Sequence, residues 1–311
     1  MKSKQNNKRM KRSNGNIKNQ NIKIMHWNGG NAQLVNQLVE VETLINLHKP
    51  DIFCLNEANI RCNTELGSIS LPNYNVEMDR MIETFGVARV AIFIKKKLVY
   101  KRMTSNKLND FPIVSIRVCH PNQKRFELNA IYRQWRQVNI NSNLSHKLNT
   151  FEQREQFDRL MEKVVCKDDS TECILIGDFN FDSALFSKNL DKWSKHERGL
   201  SEIVKKADEC LIQNGFSQMV TFTTHDQSTL DHFYTNNVSK IESIKKIEEI
   251  TSDHYAFIVY RKMKINQAEE ALMTIRDFSK VNKSELIHKI RNHPKYFNAL
   301  ISKEVNSPAE D

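Results

Sequence analysis

The sequence predicts an α/β fold, a two-sheet α/β sandwich in which the sheets pack face to face and the helices lie outside. Three observations support this prediction. Short apolar runs typical of strands recur from residue 22 to residue 262, a few stretches between them have helical spacing, and no repeat of fixed period is present. With 311 residues, of which 39% are hydrophobic, the chain is long enough to bury one large core or two smaller ones.

The first part of the chain is predicted to begin as strand, helix, strand. An alternating run at 22–28 ends at two glycines, and apolar residues with helical spacing follow at 32–47. A proline at position 50 breaks this helix, and a short buried strand follows at 52–57. The next strands are predicted at 74–78, 87–94, 113–118 and 126–135.

The second part of the chain contains two longer helical patterns. A helix at 150–165 is predicted to lead into a strand at 173–180. Another helix at 200–214 is followed by Gly215, the residue type expected just after a helix. The remaining short strands are predicted at 219–222, 230–235, 244–250 and 255–262.

Charge and composition divide the chain into three parts. Residues 1–39 contain eight lysines and arginines and no acid, so the rest of the chain carries only +2 of the net +10. Residues 1–21 are therefore expected to be a disordered basic tail that binds polyanions, carries an import signal or only improves solubility. Residues 22–263 are predicted to form the folded domain. Residues 264–311 are expected to be a helical or partly disordered connector.

Several protein classes are disfavoured. No apolar stretch approaches the roughly 20 residues that span a membrane, and no signal peptide pattern opens the chain. The six cysteines form no CxxC pair, which favours a reducing compartment without disulfides or structural zinc.

Polar residues recur where the predicted strands end. In the segment ILIGDFNFD, Asp178 and Asn180 are two residues apart, so along a strand they face the same side. Sites in layered α/β folds are usually built at such strand ends. The other polar residues of this kind are Asn28, Glu57, Tyr132, Asp231, Asp253 and His254.

The carboxylates of this set would repel one another if they met without a cation or a proton between them. Carboxylate and amide oxygens are hard ligands, which suit Mg²⁺ or Mn²⁺ far better than zinc. The sequence therefore predicts a Mg²⁺ (or Mn²⁺) site, should these strand ends lie together.

Taken in order, the motifs WN, the glutamate of the second strand, GDFN and SDH resemble those of the endonuclease/exonuclease/phosphatase superfamily. The resemblance covers about residues 22–262. It implies the DNase I-like two-sheet α/β sandwich with the site at one end of the sheets. It also implies that Glu57 is the main ligand of the divalent metal, with Asn28 supporting it and Asp253 close by.

The resemblance further implies the roles of the groups that act on the phosphate. Asp178 would orient or deprotonate the attacking water, and Asn180 and Tyr132 would hold the phosphate. His254 would place a charged imidazole against the phosphate, and Asp231 would fix its orientation. A carboxylate behind a histidine raises the affinity of the ring for a proton and fixes its tautomer.

Each of these residues also has an ordinary structural explanation. Asn28 could cap the following helix, Glu57 could be a surface residue, and Tyr132 could be an aromatic at the edge of the core. Asp231 could be a charge at a strand edge, and the remaining four could be turn residues.

Three segments resemble the endonuclease of LINE-type (non-LTR) retrotransposons: IYRQW, GFSQMVTFTTHDQSTLDHFYTN and IRDFSKVNKSELIHKI. By this similarity Thr224 is expected to contact the sugar or phosphate, with Thr221 or neither as equal alternatives. In many relatives a glutamine or threonine flanks the glutamate of the second strand, whereas here its neighbours are Asn56 and Ala58. No reverse transcriptase motif follows, which suggests a truncated polyprotein, an isolated domain or a host-adopted gene.

The resemblance implies an enzyme, a Mg²⁺-dependent DNA endonuclease that leaves 3′-hydroxyl and 5′-phosphate ends, as in nicking for target-primed reverse transcription. Double-stranded DNA is the expected partner, with the RNA of the element as a further one. The protein is expected to be a nuclear monomer without membrane contact. The alternatives are an abasic-site endonuclease, a phosphatase of the same superfamily, or an inactive nucleic-acid-binding remnant.

Overall fold

The computed structural model describes residues 21–30, 33–62, 66–103, 112–119, 125–134, 136–139, 144–164, 171–184, 195–248 and 252–263. The connector predicted at 264–311, and all of the predicted basic tail except Asn21, lie outside these residues. The predicted division of the chain into tail, domain and connector therefore stays a prediction.

Fourteen strands and four α-helices are present in this part of the chain. The strands are β1 (Ile22–Asn28), β2 (Ile52–Arg61), β3 (Tyr74–Met78), β4 (Val87–Lys95), β5 (Val99–Met103), β6 (Ile113–Cys119), β7 (Phe126–Tyr132), β8 (Arg136–Asn139), β9 (Leu144–Lys147), β10 (Glu172–Asp178), β11 (Ser217–Gln218), β12 (Asp231–Thr235), β13 (Ile241–Ile247) and β14 (Ala256–Arg261). The helices are α1 (Leu34–His48), α2 (Met81–Phe85), α3 (Thr150–Val164) and α4 (Lys195–Ala207).

The strands form two six-stranded sheets of similar design. The first sheet has the order β13-β14-β1-β2-β4-β3, and the second has the order β11-β12-β10-β7-β6-β5. Each sheet has one parallel pair at its centre, β1 with β2 and β7 with β10, and antiparallel neighbours on both sides. Strands β8 and β9 pair separately as a two-stranded ribbon.

The main core lies between the two sheets. Residues of the first sheet such as Ile24 and Phe257 belong to one buried cluster with Ile116 and Leu128 of the second sheet. The opposite faces are covered by helices: α1 packs on the first sheet, and α3 and α4 pack on the second. Two sheets face to face with helices outside form the predicted two-sheet α/β sandwich, and the fold class is confirmed.

Most predicted elements lie within a few residues of the observed ones, and the exceptions have local causes. The strand predicted at 219–222 is wrong: Ser217–Gln218 pairs with β12 instead, and the Gln218 side chain binds the backbone N–H of Val220. The short elements α2, β5, β8 and β9 were not predicted, because their few apolar residues show neither period.

The end of the sandwich opposite the expected site is closed by an ion pair between the sheets. Arg261 ends β14 and Glu172 begins β10, and their side chains are almost fully buried. The guanidinium donates through Nε and Nη2 to the two carboxylate oxygens at 2.7 and 2.6 Å. Paired fork to fork in this way, the two charges satisfy each other inside the core.

Two smaller observations complete the description. In the described part of the chain, no helix is long and apolar enough to cross a membrane. Five cysteines there are free thiols: Cys54, Cys62, Cys119, Cys173 and Cys210.

Candidate active site

The polar residues predicted from the strand ends meet at one end of the sandwich. The parallel pairs β1–β2 and β7–β10 both end there, and β12 begins beside β10, with Asp178 directly opposite Asp231. The loop before β14 adds two further groups. The residues brought together are Asn28, Glu57, Tyr132, Asp178, Asn180, Asp231 and His254, whereas Asp253 is exposed and lies near His254 and His225.

The side-chain amide of Asn28 is one of the groups that join the two sheets at this point. Asn28, at the end of β1, donates through Nδ2 to Asp178 Oδ2 at 2.9 Å and lies 3.4 Å from Glu57 Oε1. Its own oxygen accepts the backbone N–H of Gly30 at 2.9 Å. Helix α1 begins after Gln33, which makes no side-chain capping bond, so Asn28 does not cap it. In this orientation Asn28 holds two carboxylates near each other.

Glu57 projects into the site because β2 is irregular at this residue. The register between β2 and β4 shifts between Asn56 and Ile60, and both Glu57 (φ 52°) and Asn59 (φ 48°) have left-handed backbone conformations. Such conformations are uncommon for residues other than glycine and concentrate at functional sites. The irregularity is a β-bulge, and it sets the direction in which the Glu57 side chain projects.

The hydroxyl of Tyr132, at the end of β7, donates to Glu57 Oε1 at 2.9 Å. Burial raises the pKa of Tyr132 well above its ordinary value, and the charges of Glu57 and Asp178 raise it further. The phenol therefore stays protonated and acts as a hydrogen-bond donor within the site.

Asp178 ends β10 and is fixed by the residues that follow it. Its Oδ1 accepts the backbone N–H of Asn180 at 2.7 Å, and the amide of Asn180 donates to Asp178 Oδ2 at 3.2 Å and to the Arg133 carbonyl at 2.8 Å. Burial raises the pKa of Asp178, and the charge of nearby Asp231 contributes, to about 8. The carboxyl group therefore has an unusually high affinity for a proton.

Asp231 lies between two histidine rings. Its Oδ2 is 2.7 Å from His254 Nδ1, and its Oδ1 is 2.9 Å from His26 Nε2. Burial opposes the charge of Asp231, but the hydrogen bonds from both rings hold its pKa well below the usual range. Burial also lowers the pKa of His254, yet the hydrogen bond and charge of Asp231 outweigh it and raise the pKa to about 9. His254 is therefore a cation at neutral pH.

Two predicted site residues occupy different surroundings. The side chain of Asp253 is 68% exposed and lies 3.4 Å from His225 Nε2. Thr224 is fully buried, and its hydroxyl accepts the backbone N–H groups of Leu230 and Asp231 at 3.0 and 2.9 Å. In this conformation Thr224 positions the start of β12, and its contact with sugar or phosphate stays a prediction.

Asn56 is a site residue that the sequence reasoning missed. Its amide reaches from the first sheet into the second, where it donates to the Ile131 carbonyl of β7 at 2.9 Å and accepts the Asp178 N–H of β10 at 2.9 Å. Space for it depends on Gly177 (φ 150°), since a Cβ there would lie 1.8 Å from the Ile131 oxygen and 3.1 Å from the Asn56 oxygen. The sequence feature that could have identified Asn56 is its position directly before Glu57.

Arg133 and His26 were missed as well. Arg133 is fully buried, and it donates through its guanidinium to the Phe179 and Asn180 carbonyls. Burial lowers its pKa to about 10, so it remains charged and fixes the turn after β10. His26 is two residues before Asn28 on β1, so the period of a strand could have assigned it to the same face.

The donor groups at this end fit a hard divalent cation. Glu57 is the one carboxylate here that is only partly buried, and it shares the Asn28 amide with Asp178. Burial raises the pKa of Asp178, and the negative charges of Asp231 and Glu57 raise it further. A cation with oxygen ligands would offset this charge, so the residues present suit such an ion.

An α/β sandwich with clustered carboxylates and an Asp–His pair at one end of its sheets defines the nuclease and phosphatase class of this architecture. The sequence agrees with this class. The Endonuclease/Exonuclease/phosphatase family is matched over residues 25–254, and the chain belongs to this family. The resemblance to the superfamily predicted from the motifs is confirmed.

Solved structures share the fold at low sequence identity. The endonuclease domain of TRAS1, a telomere-specific non-LTR retrotransposon, is similar with a TM-score of 0.54 and 14% identity, over 78% of this chain and 98% of that one. An AP endonuclease from Leishmania major has a TM-score of 0.55 and 14% identity, over 78% and 88%. The 3′ phosphatase NExo from Neisseria has a TM-score of 0.52 and 15% identity, over 78% and 100%. No curated protein sequence matches the chain.

Proposed function

We propose that the protein is a metal-dependent DNA endonuclease that hydrolyses phosphodiester bonds and leaves 3′-hydroxyl and 5′-phosphate ends. One observation carries this proposal: buried Asp178, the Asp231–His254 pair and Glu57 meet at one end of the sandwich. A carboxylate that takes a proton from water, a cationic group that faces the phosphate and a metal-binding carboxylate together suit phosphodiester hydrolysis.

Asp178 is the proposed proton acceptor for the attacking water. Its two oxygens are held by the N–H of Asn180 and the amide of Asn28, which leaves the carboxylate with a fixed direction. Burial raises its pKa in the absence of a metal ion. A bound divalent cation would lower this pKa, so that the carboxylate is ionised and can take the proton that the water must lose. Asn180 and Tyr132 lie beside it, and their amide and hydroxyl donors are proposed to hold the phosphate.

His254 is the proposed cationic group. Asp231 binds its Nδ1, so the proton on Nε2 is free to approach a non-bridging phosphate oxygen. Negative charge grows on those oxygens as the phosphodiester reacts, and a cation fixed beforehand stabilises it without reorganisation. Asp231 itself contacts no substrate in this proposal; it orients the ring and keeps it charged.

Glu57 is proposed to hold Mg²⁺ or Mn²⁺, with Asn28 and Asp253 nearby. When bound, such an ion would withdraw negative charge from the phosphate oxygens and from the leaving group. The amide of Asn28 lies 3.4 Å from the Glu57 carboxylate and helps to keep the ligand in place.

The activity is proposed to be that of a non-LTR retrotransposon endonuclease, which nicks target DNA for target-primed reverse transcription. Support comes from the three sequence segments that resemble those elements and from the shared fold of the TRAS1 endonuclease domain. Double-stranded DNA is the proposed substrate, the RNA of the element a further partner, and the nucleus the place of action of a monomer. The basic residues before Glu40 would add contacts to phosphate and a salt-sensitive affinity.

Supercoiled plasmid with Mg²⁺ tests the proposal. The protein should produce open circles, a chelator should stop the reaction, and Asp178→Asn should slow it by at least about 100-fold, since it removes a general base. Asp158→Asn is the matched control, because Asp158 is paired with Lys206 on the helices outside the second sheet. DNA ligase should reseal the nicks, because it requires a 3′-hydroxyl and a 5′-phosphate.

An abasic-site endonuclease is the second candidate, because the AP endonuclease from Leishmania major shares the fold equally well. Intact duplex, duplex with one abasic site and duplex ending in a 3′-phosphate should be compared at equal enzyme concentration. Faster cleavage at the abasic site would assign the protein as an abasic-site endonuclease. Release of phosphate alone would assign it as a phosphatase of the same family. If the wild-type protein acts on none of the three substrates, the proposed function is wrong.

A further inference from the structure

Two histidines and an aspartate form a separate group of potential ligands at the rim of the site. His225 pairs with His254 through an isolated β-bridge, and the centroids of their rings are 4.6 Å apart. His225 Nε2 is 3.4 Å from Asp253 Oδ2. One donor atom from each of the three residues lies within 4.8 Å of the other two, a spacing that a single metal ion can bridge.

The ring of His254 has a carboxylate hydrogen-bonded to its Nδ1, whereas the carboxylate nearest to Nδ1 of His225 is beyond hydrogen-bond distance. His254 Nδ1 is 2.7 Å from Asp231 Oδ2, and His225 Nδ1 is 3.7 Å from Asp226 Oδ2. Histidines that bind metals usually have such a carboxylate on the second nitrogen, where it fixes the tautomer and increases the basicity of the ligating nitrogen. The Nε2 atom of His254 is therefore available for a metal, and Nε2 of His225 is the ring nitrogen that lies beside Asp253.

The chemistry of the group differs from that around Glu57. Two imidazole nitrogens and one carboxylate oxygen suit Zn²⁺ and similar transition metals rather than Mg²⁺. His225 is 27% exposed and Asp253 is 68% exposed, so an ion can reach the group from solvent.

We propose that His225, Asp253 and His254 bind Zn²⁺, and that the bound ion inhibits the enzyme. The inhibitory part rests on the proposed function, in which the Nε2 proton of His254 faces the phosphate. Zn²⁺ would occupy the electron pair of Nε2 in place of that proton, and it would also engage Asp253. Nuclease activity would then depend on the concentration of free Zn²⁺ even when Mg²⁺ is abundant.

Binding is tested with Co²⁺, a coloured substitute for Zn²⁺, added to the full-length protein in the presence of Mg²⁺. One equivalent should give the visible absorption bands of tetrahedral Co²⁺, and Zn²⁺ should displace them. His225→Gln should weaken this binding by at least about tenfold, since it removes a ligand. His48→Gln, a change in the last turn of α1, should leave the spectrum as in the wild type. Equal Co²⁺ binding by wild type and His225→Gln would exclude the site.

Inhibition is measured separately, as plasmid nicking at saturating Mg²⁺ with increasing Zn²⁺. His225→Gln should keep the nicking rate without Zn²⁺ and raise the half-inhibiting Zn²⁺ concentration by at least about tenfold. An unchanged half-inhibiting concentration would refute the inhibitory role. Because the Co²⁺ spectrum requires no activity, it decides the metal site even if the protein nicks no substrate, a result that would refute only the proposed function.

Discussion

Replacing Asn56 with leucine is expected to weaken the contact between the two sheets at the end where the site lies. The side chains have similar volume, but leucine can neither donate to the Ile131 carbonyl nor accept the Asp178 N–H. Both backbone groups belong to the second sheet and are buried beneath the first. The substitution therefore removes two hydrogen bonds without opening a large cavity.

The magnitude follows from the two backbone groups that lose their partner. A buried donor or acceptor left unsatisfied costs about 1–3 kcal/mol, so Asn56→Leu should lower the free energy of unfolding by about 2–6 kcal/mol. For a domain of this size the melting temperature falls by roughly 2–4 °C per kcal/mol, which makes the loss at least about 4 °C. Asp178 also loses the bond that fixes its backbone, and a displacement near 1 Å can reduce a catalytic rate about 100-fold.

Asn129→Leu is the matched control. Like Asn56, Asn129 is a buried asparagine, but it lies on β7 and away from the site. It accepts from Ser115 Oγ at 2.6 Å and donates to the Ile174 carbonyl at 3.3 Å. Urea unfolding and plasmid nicking should be measured on both variants, the latter well below the melting temperature of each. Asn129→Leu should lose stability alone, and Asn56→Leu should lose both stability and rate. Wild-type stability and rate for Asn56→Leu would refute the reasoning.

Three further predictions concern buried ionisable groups. Arg261→Met should lower the free energy of unfolding, measured with urea, by about 3–5 kcal/mol because Glu172 is left unpaired. Changing both residues to methionine should restore most of the lost stability. Equal losses in the single and double variants would contradict this prediction. Burial lowers the pKa of His232 to about 4, so the unfolded chain binds more protons than the folded protein between pH 6.5 and pH 4. Acidification through this range should lower the free energy of unfolding of the wild type by about 3 kcal/mol, and His232→Gln should not show this loss. Parallel pH profiles of stability for the two proteins would argue against this. His26→Leu removes a donor from buried Asp231 and should cost about 1–3 kcal/mol with a lower nicking rate, partly recovered by His26→Gln; equal behaviour of both variants would speak against the hydrogen bond.

The sequence predicted the fold class and the main site residues because both depend on local patterns. Apolar alternation ends where a strand ends, and Asp178 and Asn180 stand at such an end, so their common direction could be inferred without a structure. Glu57 was predicted by the same rule, although β2 continues past it to Arg61 through the irregularity between Asn56 and Ile60. The family motifs then supplied the order in which distant strand ends should meet.

Contacts between the sheets could not be predicted in this way. Asn56 is 75 residues from Ile131 and 122 residues from Asp178 in the chain, and only the packing of one sheet on the other brings them together. His26 is likewise 205 residues from Asp231. Arginine is a residue type usually found at the surface. Arg133 is buried because backbone carbonyls accept its hydrogen bonds, and no pattern of side chains in the sequence reveals those carbonyls.

The two ends of the sandwich make opposite electrostatic contributions to its assembly. At the closed end, Glu172 of one sheet attracts Arg261 of the other. At the opposite end, docking brings Glu57 toward Asp178 and Asp231, which already face each other across neighbouring strands, so like charges are forced together. A divalent cation bound between the carboxylates would turn this repulsion into attraction. Binding of such an ion should therefore raise the free energy of unfolding of the protein.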